Sequence, residues 1–416
     1  MKVVVVGSGG REHALAAVLA RTAEVVVTPG NPGIPGSVAT PATELDADLF
    51  VIGSEQPLVD GLADRLRAQG KLVFGPGADG ARLEGSKKWM KQVLDEAGVA
   101  TARWAVFEAD DLDQALAYLG DTATMPYVIK TDGLAAGKGV VVTTSLDEAR
   151  SAVSSYLSGE AFGDAGTTCV IEEGMAGPEL SVFAICDGRT ATLIGTAQDH
   201  KRIGDGDTGP NTGGMGTYSP VPSVPDEVID AIMADAIEPT LATLQARGID
   251  YRGVLYCGLM LTPTGPKVLE YNIRFGDPEA QVVLPRLTSD LAQHLFEAAS
   301  GELVTTPTFA DDAAVCVVMA AEHYPATPRT GDVIDGLGDA AATDGVSVFC
   351  AGVAAGEDGA LVTAGGRVLD VVGQGPDLTR ARERAYEGVA KISWPGEQHR
   401  TDIATSAIDS PEGATR

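Results

Sequence analysis

The sequence is poor in the residues that mark several common classes of protein. Its five cysteines are scattered through 416 residues without a CxxC pair, which argues against a disulfide framework or a zinc knuckle. The five histidines show no HxxxH spacing, so a zinc site is not expected. No apolar run approaches the length of a membrane span, and the opening "MKVVVVGSGG" is too short for a signal peptide. We therefore expect a cytoplasmic protein without a membrane partner.

Positive charge is also scarce, since 30 lysines and arginines face 58 acidic residues and the net charge is −28. This balance excludes nucleic acid as the expected partner, because a phosphate backbone calls for a basic face. The few cations in glycine-rich or strand-end segments are therefore informative, and an anionic substrate would need such a cluster. They are Lys87, Lys88, Lys130, Lys138, Lys201, Arg202 and Arg274.

Apolar runs and helical patterns alternate from residue 1 to about 75, which predicts βαβ units and a parallel sheet. "GSGGREH" lies at the first strand–helix turn, where such sheets bind phosphates. Glu12 stands in place of the third glycine of a dinucleotide fingerprint, so an NAD site is not expected. An anion bound at the helix N-terminus and a tight turn without a ligand both remain open.

The stretch "YVIKTDGLAAGKGVVVTT" contains a Gly-Lys pair but is not a Walker A loop, because its glycine spacing is too short and no Ser or Thr follows. Its β-branched flanks predict two strands joined by a glycine loop. A helix is expected over Ser86 to Ala97, ended by Gly98, and another over roughly 226–247. The long loop "AQDHKRIGDGDTGPNTGGMGTYSP" is expected to be functional.

In "KVLEYNIRFGDPE", Glu270 and Asn272 are two apart on a predicted strand and so share a face, with Arg274 two further on. A half-exposed strand explains such alternation, and so does a metal site in which both residues give oxygens to Mg²⁺. Arg274 would then hold a nearby anion. Lys130, at the end of a strand before the glycine loop, and Lys87 would supply the positive charge that phosphoryl transfer requires.

Together these segments resemble the ATP-grasp superfamily and, within it, the phosphoribosylamine–glycine ligase family. The likeness runs from Met1 to about Ile403, and its motifs stand in family order. They are "GSGGREHAL", "PGNPG", "LEGSK", "KTDGLAAGKGVVV", "QDHKRIGDGDTGPNTGGMGTYSP" and "GVLYCGLMLTPTGPKVLEYNIRFGDPE". The long loop and the last motif are specific to this ligase, whereas the glycine-loop hairpin indicates only the superfamily.

The resemblance implies an ATP-grasp fold of the α/β class (α+β overall), with an N-terminal Rossmann-like parallel-sheet domain, a small lid domain and a C-terminal α/β domain. We place the N-terminal substrate domain at 1–100 and the catalytic domain at 101–121 and 188–305. The lid domain then spans 122–187, and the C-terminal domain spans 306–403. Residues 404–416 are expected to form a disordered tail.

The resemblance also implies which residues contact ATP and a divalent metal. Lys87 and Lys130 match lysines that bind the phosphates, and the loop from Gly133 to Gly139 resembles the lid that closes over them. The remaining implied contacts are Gly137, Lys138 and Gly139 in that lid, Glu172, Glu173 and Met175 around the adenine, Glu179 at the ribose, and Glu270 and Asn272 on Mg²⁺ or Mn²⁺.

The implied reaction joins glycine to 5-phosphoribosylamine, with glycyl phosphate as the intermediate and ADP and phosphate as products. The first-domain loops would face the phosphoribosyl group through Gly9, Gly10, Arg11, Asn31 and Gly33. The other implied substrate and catalytic residues are Arg274, Lys130, Lys201, Asp207, Thr212 and Gly213. Delivery of the labile amine by transient contact with the preceding pathway enzyme is left open.

The chain departs from the family pattern at a few positions. It has His323-Tyr324-Pro325 where "GYP" is frequent and Ile273 where Cys is frequent, and the strand "VLYCGLM" lacks the acid that many ATP-grasp enzymes carry. Two alternative functions conflict with particular residues. A formate- or bicarbonate-using relative conflicts with the "DGDTGPNTGGMG" loop, and a non-catalytic nucleotide-binding module conflicts with the presence of Lys130 and Glu270.

Overall fold

The computed structural model describes residues 1–134, 139–160 and 167–409. Gly137 and Lys138 of the predicted lid therefore lie outside the described residues. Within the described ranges, no helix is both long and apolar enough to cross a bilayer.

A parallel sheet forms the N-terminal part of the chain, as the sequence predicts. The elements are β1 (Lys2–Gly7), α1 (Gly10–Leu19), β2 (Glu24–Pro29), β3 (Leu49–Ile52), α2 (Glu55–Val59), α3 (Leu62–Ala68), β4 (Val73–Phe74), α4 (Ala78–Gly85) and α5 (Lys87–Ala97). The strand order is β2-β1-β3-β4 with every pairing parallel. Val3, Val4 and Val5 are fully buried, as expected of a parallel strand covered on both faces.

The predicted helix at residues 86–97 is confirmed in α5, and its ends follow from local chemistry. The Ser86 side chain caps the helix by accepting a hydrogen bond from the Trp89 amide at 3.1 Å. Gly98 ends it in the left-handed region, with φ of +68°. Lys87 is therefore fixed at the first turn of a capped helix.

A small antiparallel sheet follows, with its own apolar core. Its elements are β5 (Trp104–Glu108), α6 (Leu112–Asp121), β6 (Tyr127–Thr131), β7 (Val140–Thr143), α7 (Leu146–Leu157) and β8 (Thr168–Glu173), in the strand order β5-β8-β6-β7. The two predicted strands flanking the glycine loop are confirmed as the β6–β7 hairpin, in which Lys130 lies opposite Val140. Ile129, Val153 and Ile171 are buried in a cluster confined to this sheet and its two helices.

The central part of the chain supplies long antiparallel strands. Its elements are β9 (Glu179–Asp187), β10 (Ala191–Asp199), β11 (Arg202–Gly204), β12 (Thr208–Asn211), β13 (Gly216–Ser219), α8 (Asp226–Ile232), α9 (Glu238–Ala246), β14 (Arg252–Thr262), β15 (Gly265–Asn272), α10 (Ala280–Val283) and α11 (Leu291–Ser300). The helix predicted over 226–247 is present as α8 and α9, joined by a π-helical turn at Met233–Ile237. β14 and β15 confirm the two strands predicted before the "GDPE" segment.

The C-terminal strands extend this central sheet. The last elements are β16 (Ala313–Ala320), α12 (Leu337–Ala341), β17 (Val346–Cys350), β18 (Val353–Ala355), β19 (Leu361–Thr363), β20 (Arg367–Gly375), α13 (Leu378–Val389) and α14 (Thr405–Asp409). Pairing of β13 with β16 gives an eight-stranded sheet in the order β15-β14-β9-β10-β13-β16-β20-β17. The segment expected to be a tail thus begins with the short helix α14, and residues 410–416 lie outside the described residues.

Candidate active site

Strand β15, at the edge of the central sheet, carries the predicted metal residues. Glu270 lies opposite Gly258 of β14, and Asn272 lies opposite Tyr256. The Asn272 side chain is buried, yet it has no hydrogen-bond partner among the described residues. Within the described part of the chain, the Glu270 carboxylate makes one ion pair, in which its Oε2 is 3.9 Å from Lys87 Nζ. A carboxylate and an amide with uncommitted oxygens on one strand face fit a hard divalent cation.

Positive charge converges on Glu270 from separate elements. Burial alone would raise the pKa of this carboxyl, but Lys87, Lys201 and Lys130 lower it to about 2, with a smaller contribution from Arg274. Lys87 begins α5, Lys130 lies on β6, and Lys201 follows β10. Of the cations singled out in the sequence, these three lysines and Arg274 therefore lie around the strand that carries the candidate metal ligands. Lys88 instead pairs with Glu108, and Arg202 donates to the Gly209 carbonyl.

Lys130 is the most enclosed of these three lysines. Its ammonium lies 3.0 Å from Oε1 of Glu172 and donates to the Leu269 carbonyl at 3.3 Å. Leu269 directly precedes Glu270 on β15. The Lys130 charge is thus held between the small sheet and the metal-ligand strand.

Lys201 lies among carboxylates. It forms an ion pair with Glu179, and although burial opposes its charge, Asp199, Glu179 and Glu270 raise its pKa. Burial raises the pKa of Asp199 to about 7. The positive charge of Lys201 opposes this shift, whereas the carboxylates of Glu279 and Glu179 act in the same direction as burial. Sequence reasoning missed Asp199, although Asp199 and Lys201 are two apart in the "DHK" motif.

Arg274 is engaged by two carboxylates of the N-terminal region. Its Nη2 donates to Glu84 at 2.7 Å, and its Nε donates to Glu55 at 3.1 Å. Burial opposes its charge, but Glu84 and Glu55 raise its pKa. Glu55 also lies 3.8 Å from Arg11 Nη1, so it links Arg274 to the first strand–helix turn. The idea that Arg274 binds a substrate anion stays a prediction.

The predicted phosphoribosyl residues form two adjoining loops. The Gly9 amide donates to Glu12 at 2.6 Å, and the Arg11 guanidinium donates to Glu12 and to the Phe275 carbonyl at 2.7 and 3.2 Å. The Asn31 side-chain amide donates to the Ser8 carbonyl at 2.8 Å, which joins the loops directly.

The C-terminal region closes over both loops. A methyl group on Gly10 would come within 1.7 Å of Asp370 Oδ2, and one on Gly33 would come within 2.4 Å of Cys350 Sγ. Both glycines are therefore required by close packing. Asp370, on β20, was not among the residues predicted from sequence.

The residues predicted around the adenine and ribose differ in their surroundings. Glu172 is buried between Lys130 and Lys91, whose Nζ is 3.1 Å from Glu172 Oε2. Glu173 faces the opposite side and accepts from Arg103 Nε at 2.8 Å. Glu179 pairs with Lys201 as described above. Met175 follows β8 and is half-buried. In the β6–β7 hairpin, the Gly139 carbonyl accepts a hydrogen bond from the Thr131 amide at 2.9 Å.

The long glycine-rich loop is held by C-terminal residues. Asp207 has φ of +54° and accepts from the buried Arg400 at 2.7 Å. The Thr212 hydroxyl donates to the Lys201 carbonyl at 2.8 Å, and the Gly213 amide donates to the Tyr324 hydroxyl at 2.9 Å. Asp207 is therefore turned toward Arg400, while Thr212 is tied to the lysine cluster.

Sequence reasoning also missed Lys91, although a helical signal was available. It is four residues after Lys87 on α5, a spacing that places two side chains on one helix face. Contacts such as Arg400 with Asp207, or Glu84 with Arg274, leave no comparable local pattern. They depend on how distant segments meet.

Comparisons with known proteins identify the family to which the chain is similar. Family models described as the N domain, the ATP-grasp (A) domain and the C domain of phosphoribosylglycinamide synthetase match residues 1–84, 85–280 and 314–406. The phosphoribosylamine–glycine ligase of Caulobacter vibrioides is 49% identical over 427 residues, which cover 98% of this chain and 99% of that protein.

Two solved structures are similar to the chain over nearly its whole length. The phosphoribosylamine–glycine ligase of Thermotoga maritima superposes with a TM-score of 0.86 at 36% identity, covering 97% of this chain and 100% of that one. The biotin carboxylase domain of the Hydrogenobacter thermophilus 2-oxoglutarate carboxylase superposes with a TM-score of 0.70 at 16% identity, covering 96% of this chain and 91% of that one. The second likeness concerns the fold alone.

Proposed function

The chain belongs to the phosphoribosylglycinamide synthetase family of ATP-grasp ligases, and from this premise we propose how its residues perform the second step of purine biosynthesis. The reaction is ATP + glycine + 5-phosphoribosylamine → N1-(5-phosphoribosyl)glycinamide + ADP + phosphate. The observation that carries the proposal is the convergence of Lys87, Lys130 and Lys201 on Glu270. Three ammonium groups beside a metal-binding strand suit a polyphosphate whose terminal group is transferred.

In the first half-reaction a carboxylate oxygen of glycine attacks the γ-phosphorus of ATP, the bond to the bridging oxygen breaks, and ADP leaves. Lys87 and Lys130 bind the phosphate oxygens, and Lys201 neutralises charge on the transferring group. Glu270 and Asn272 hold a divalent cation, for which we propose Mg²⁺, with Mn²⁺ as a substitute. When bound, the cation neutralises phosphate charge and orients the phosphates.

In the second half-reaction the ribosylamine nitrogen attacks the carbonyl carbon of glycyl phosphate, and phosphate leaves as the amide forms. The amine is itself a nucleophile, so no side chain has to form a covalent intermediate. Gly9, Gly10, Arg11, Asn31 and Gly33 line the phosphoribosyl side of the site. The Glu55 carboxylate, which lies between Arg11 and Arg274, links that side to Arg274.

The glycine and nucleotide sides use the remaining predicted residues. We assign Asp207, Thr212, Gly213 and Arg274 to glycine and the reacting carboxylate. The hydrogen bond from the Thr212 hydroxyl to the Lys201 carbonyl supports this assignment for Thr212. Glu173, Met175 and Glu179 flank the adenosine, with Gly137, Lys138 and Gly139 over the phosphates. Glu172 serves the adenine through its backbone, because its carboxylate is held by two lysines.

We propose that the enzyme acts in the cytoplasm, which is consistent with five buried, unpaired cysteines. Its partners are then the small-molecule substrates. A handover of the labile ribosylamine by the enzyme that makes it stays a prediction.

The direct test is release of ADP from the purified protein with glycine and ribosylamine present together and with each omitted in turn. We expect ADP release to require both substrates at steady state, with a stoichiometric amount of glycinamide ribonucleotide. Bicarbonate and formate in place of glycine serve as controls. Sustained ADP release with either control, or none with the complete set, would contradict the proposed reaction.

A further inference from the structure

Lys91 belongs to a buried charge triad that the reaction scheme leaves unexplained. Its ammonium is fully buried, 3.1 Å from Oε2 of Glu172, and donates to the Thr101 hydroxyl at 2.7 Å. Glu172 has only 2% of its side-chain surface exposed, and Lys130 lies 3.0 Å from its other oxygen. The triad thus holds two ammonium groups and one carboxylate away from water.

One of these two cations is in excess. A buried carboxylate needs a counter-charge, but a single ammonium neutralises it, and each further buried charge carries its own cost of desolvation. Burial lowers the pKa of Lys91 to about 8, an effect that Glu172 opposes and Lys130 reinforces. A second lysine at this place therefore calls for an explanation beyond neutralising Glu172.

The two lysines differ in what else holds them. Lys91 is anchored through Thr101, whose hydroxyl donates to the Val268 carbonyl at 2.6 Å, so it is tied to α5 and β15. Among the described residues, the one further hydrogen-bond partner of Lys130 is the Leu269 carbonyl, and its charge acts on Glu270. Lys91 is thus fixed inside the protein, whereas Lys130 lies at the edge of the candidate phosphate site.

We propose that Lys91 is a positioning residue that keeps Glu172 neutralised when Lys130 shifts from that carboxylate to the nucleotide phosphates. Without Lys91, binding of the nucleotide by Lys130 would leave Glu172 buried and unpaired, and that cost would be subtracted from nucleotide affinity. The inference rests on the proposed role of Lys130 at the phosphates. It concerns Lys91 rather than Lys130, and it predicts that the effect of losing Lys91 depends on the charge of Glu172.

The test is a mutant cycle on the full-length protein, with binding of the non-hydrolysable analogue AMP-PNP and Mg²⁺ measured by calorimetry. Lys91→Met keeps an unbranched side chain of similar size without the charge and should raise Kd about tenfold or more, as expected when a buried charge loses its partner. Adding Glu172→Gln to Lys91→Met should restore Kd to within about threefold of Glu172→Gln alone, because no buried carboxylate remains. Lys88→Met, on the exposed side of the same helix, is the matched control and should bind as wild type does.

Each outcome decides the proposal. Unchanged affinity in Lys91→Met, or a loss that Glu172→Gln does not rescue, would show a merely structural role and overturn it. If Lys91→Met fails to fold, Glu172→Gln and the double variant carry the test. The proposal expects these two to bind alike, and weaker binding by the double variant would overturn it. Lys130→Met tests the proposed role of Lys130 separately from that of Lys91. Undiminished AMP-PNP binding by this variant would show that Lys130 does not bind the phosphates, whatever the result for Lys91.

Discussion

Replacing Glu270 with Gln removes the negative charge on which three lysines converge, while keeping the size of the side chain. The pKa of Glu270 is lowered from 4.5 to about 2. At about 1.4 kcal/mol per pKa unit, the fully buried limit of its contribution to stability is about 3 kcal/mol. Because 36% of the side chain is exposed, solvent screening reduces this contribution to about 1 kcal/mol.

The sign of the pH dependence follows from the same shift. The folded-state pKa is below the unfolded value of 4.5, so Glu270 stabilises the fold above that pH and loses its contribution as the pH falls through about 2. Glu270→Gln should therefore cost about 1 kcal/mol of unfolding free energy near neutral pH. Its cost should vanish in acid.

The effect of this substitution on activity should be larger than its effect on stability. Loss of a charged group that organises the transferring phosphoryl group typically costs about a hundredfold in turnover, or about 2.7 kcal/mol of activation free energy. The assay is the rate of ADP release as a function of Mg²⁺ concentration at fixed ATP. Glu270→Gln should lower kcat about a hundredfold and raise the Mg²⁺ requirement, and Asn272→Ala should do the same.

The control is Glu96→Gln, which removes a carboxylate from the far end of α5, where it pairs with Arg247. This variant should retain kcat and its Mg²⁺ dependence. If both Glu270→Gln and Asn272→Ala kept wild-type rates at limiting Mg²⁺, the assignment of β15 as the metal strand would be refuted, even if both variants were less stable.

Further predictions concern the contacts between the C-terminal region and the site. Arg400→Gln should lower kcat/KM for glycine by about one to two orders of magnitude, because the loop that carries Asp207 would be misplaced. AMP-PNP affinity should not change, and an unaltered kcat/KM would refute the role of Arg400 in holding this loop. Gly10→Ala should destabilise the fold by about 1 to 3 kcal/mol in urea unfolding, because its methyl group collides with buried Asp370. Gly338→Ala, whose methyl group meets nothing within 4 Å, should be nearly neutral, and equal effects would contradict the packing argument. Burial and the nearby Asp277 raise the pKa of Asp370 to about 7, and the positive charge of Arg367 opposes this shift. Between pH 3.8 and about 7 the folded state therefore keeps a proton on Asp370 that the unfolded state has released. Asp370→Asn should therefore gain stability relative to wild type as the pH rises from about 4 to about 7, and a pH-independent difference between the two unfolding curves would contradict this.

Local patterns were enough to predict the parts of the site that lie within single elements. The period of two in β15 placed Glu270 and Asn272 on one face, and the helical pattern ended by Gly98 predicted the helix that begins at Lys87. The β-branched flanks of the glycine loop gave the β6–β7 hairpin. In each case the side chain's direction follows from the geometry of one strand or helix.

Contacts between distant segments could not be predicted in this way. Arg274 is paired with Glu55 and Glu84, and Asp207 with Arg400, because separate regions of the chain meet at the site. The joining of β13 to β16, which makes the C-terminal strands part of the central sheet, has no local signature either. Lys91 is an intermediate case, since its helical spacing from Lys87 was visible but its burial against Glu172 was not.

The central claim is that the lysine cluster around Glu270 transfers a phosphoryl group to the carboxylate of glycine before the amide forms. Glycine labelled with oxygen-18 in its carboxylate tests this claim most directly, in a single turnover with ATP and ribosylamine. Mass spectrometry should find one labelled oxygen in the released phosphate and the other in the amide of the product. Label in AMP together with pyrophosphate, or unlabelled phosphate beside a full yield of amide, would contradict it.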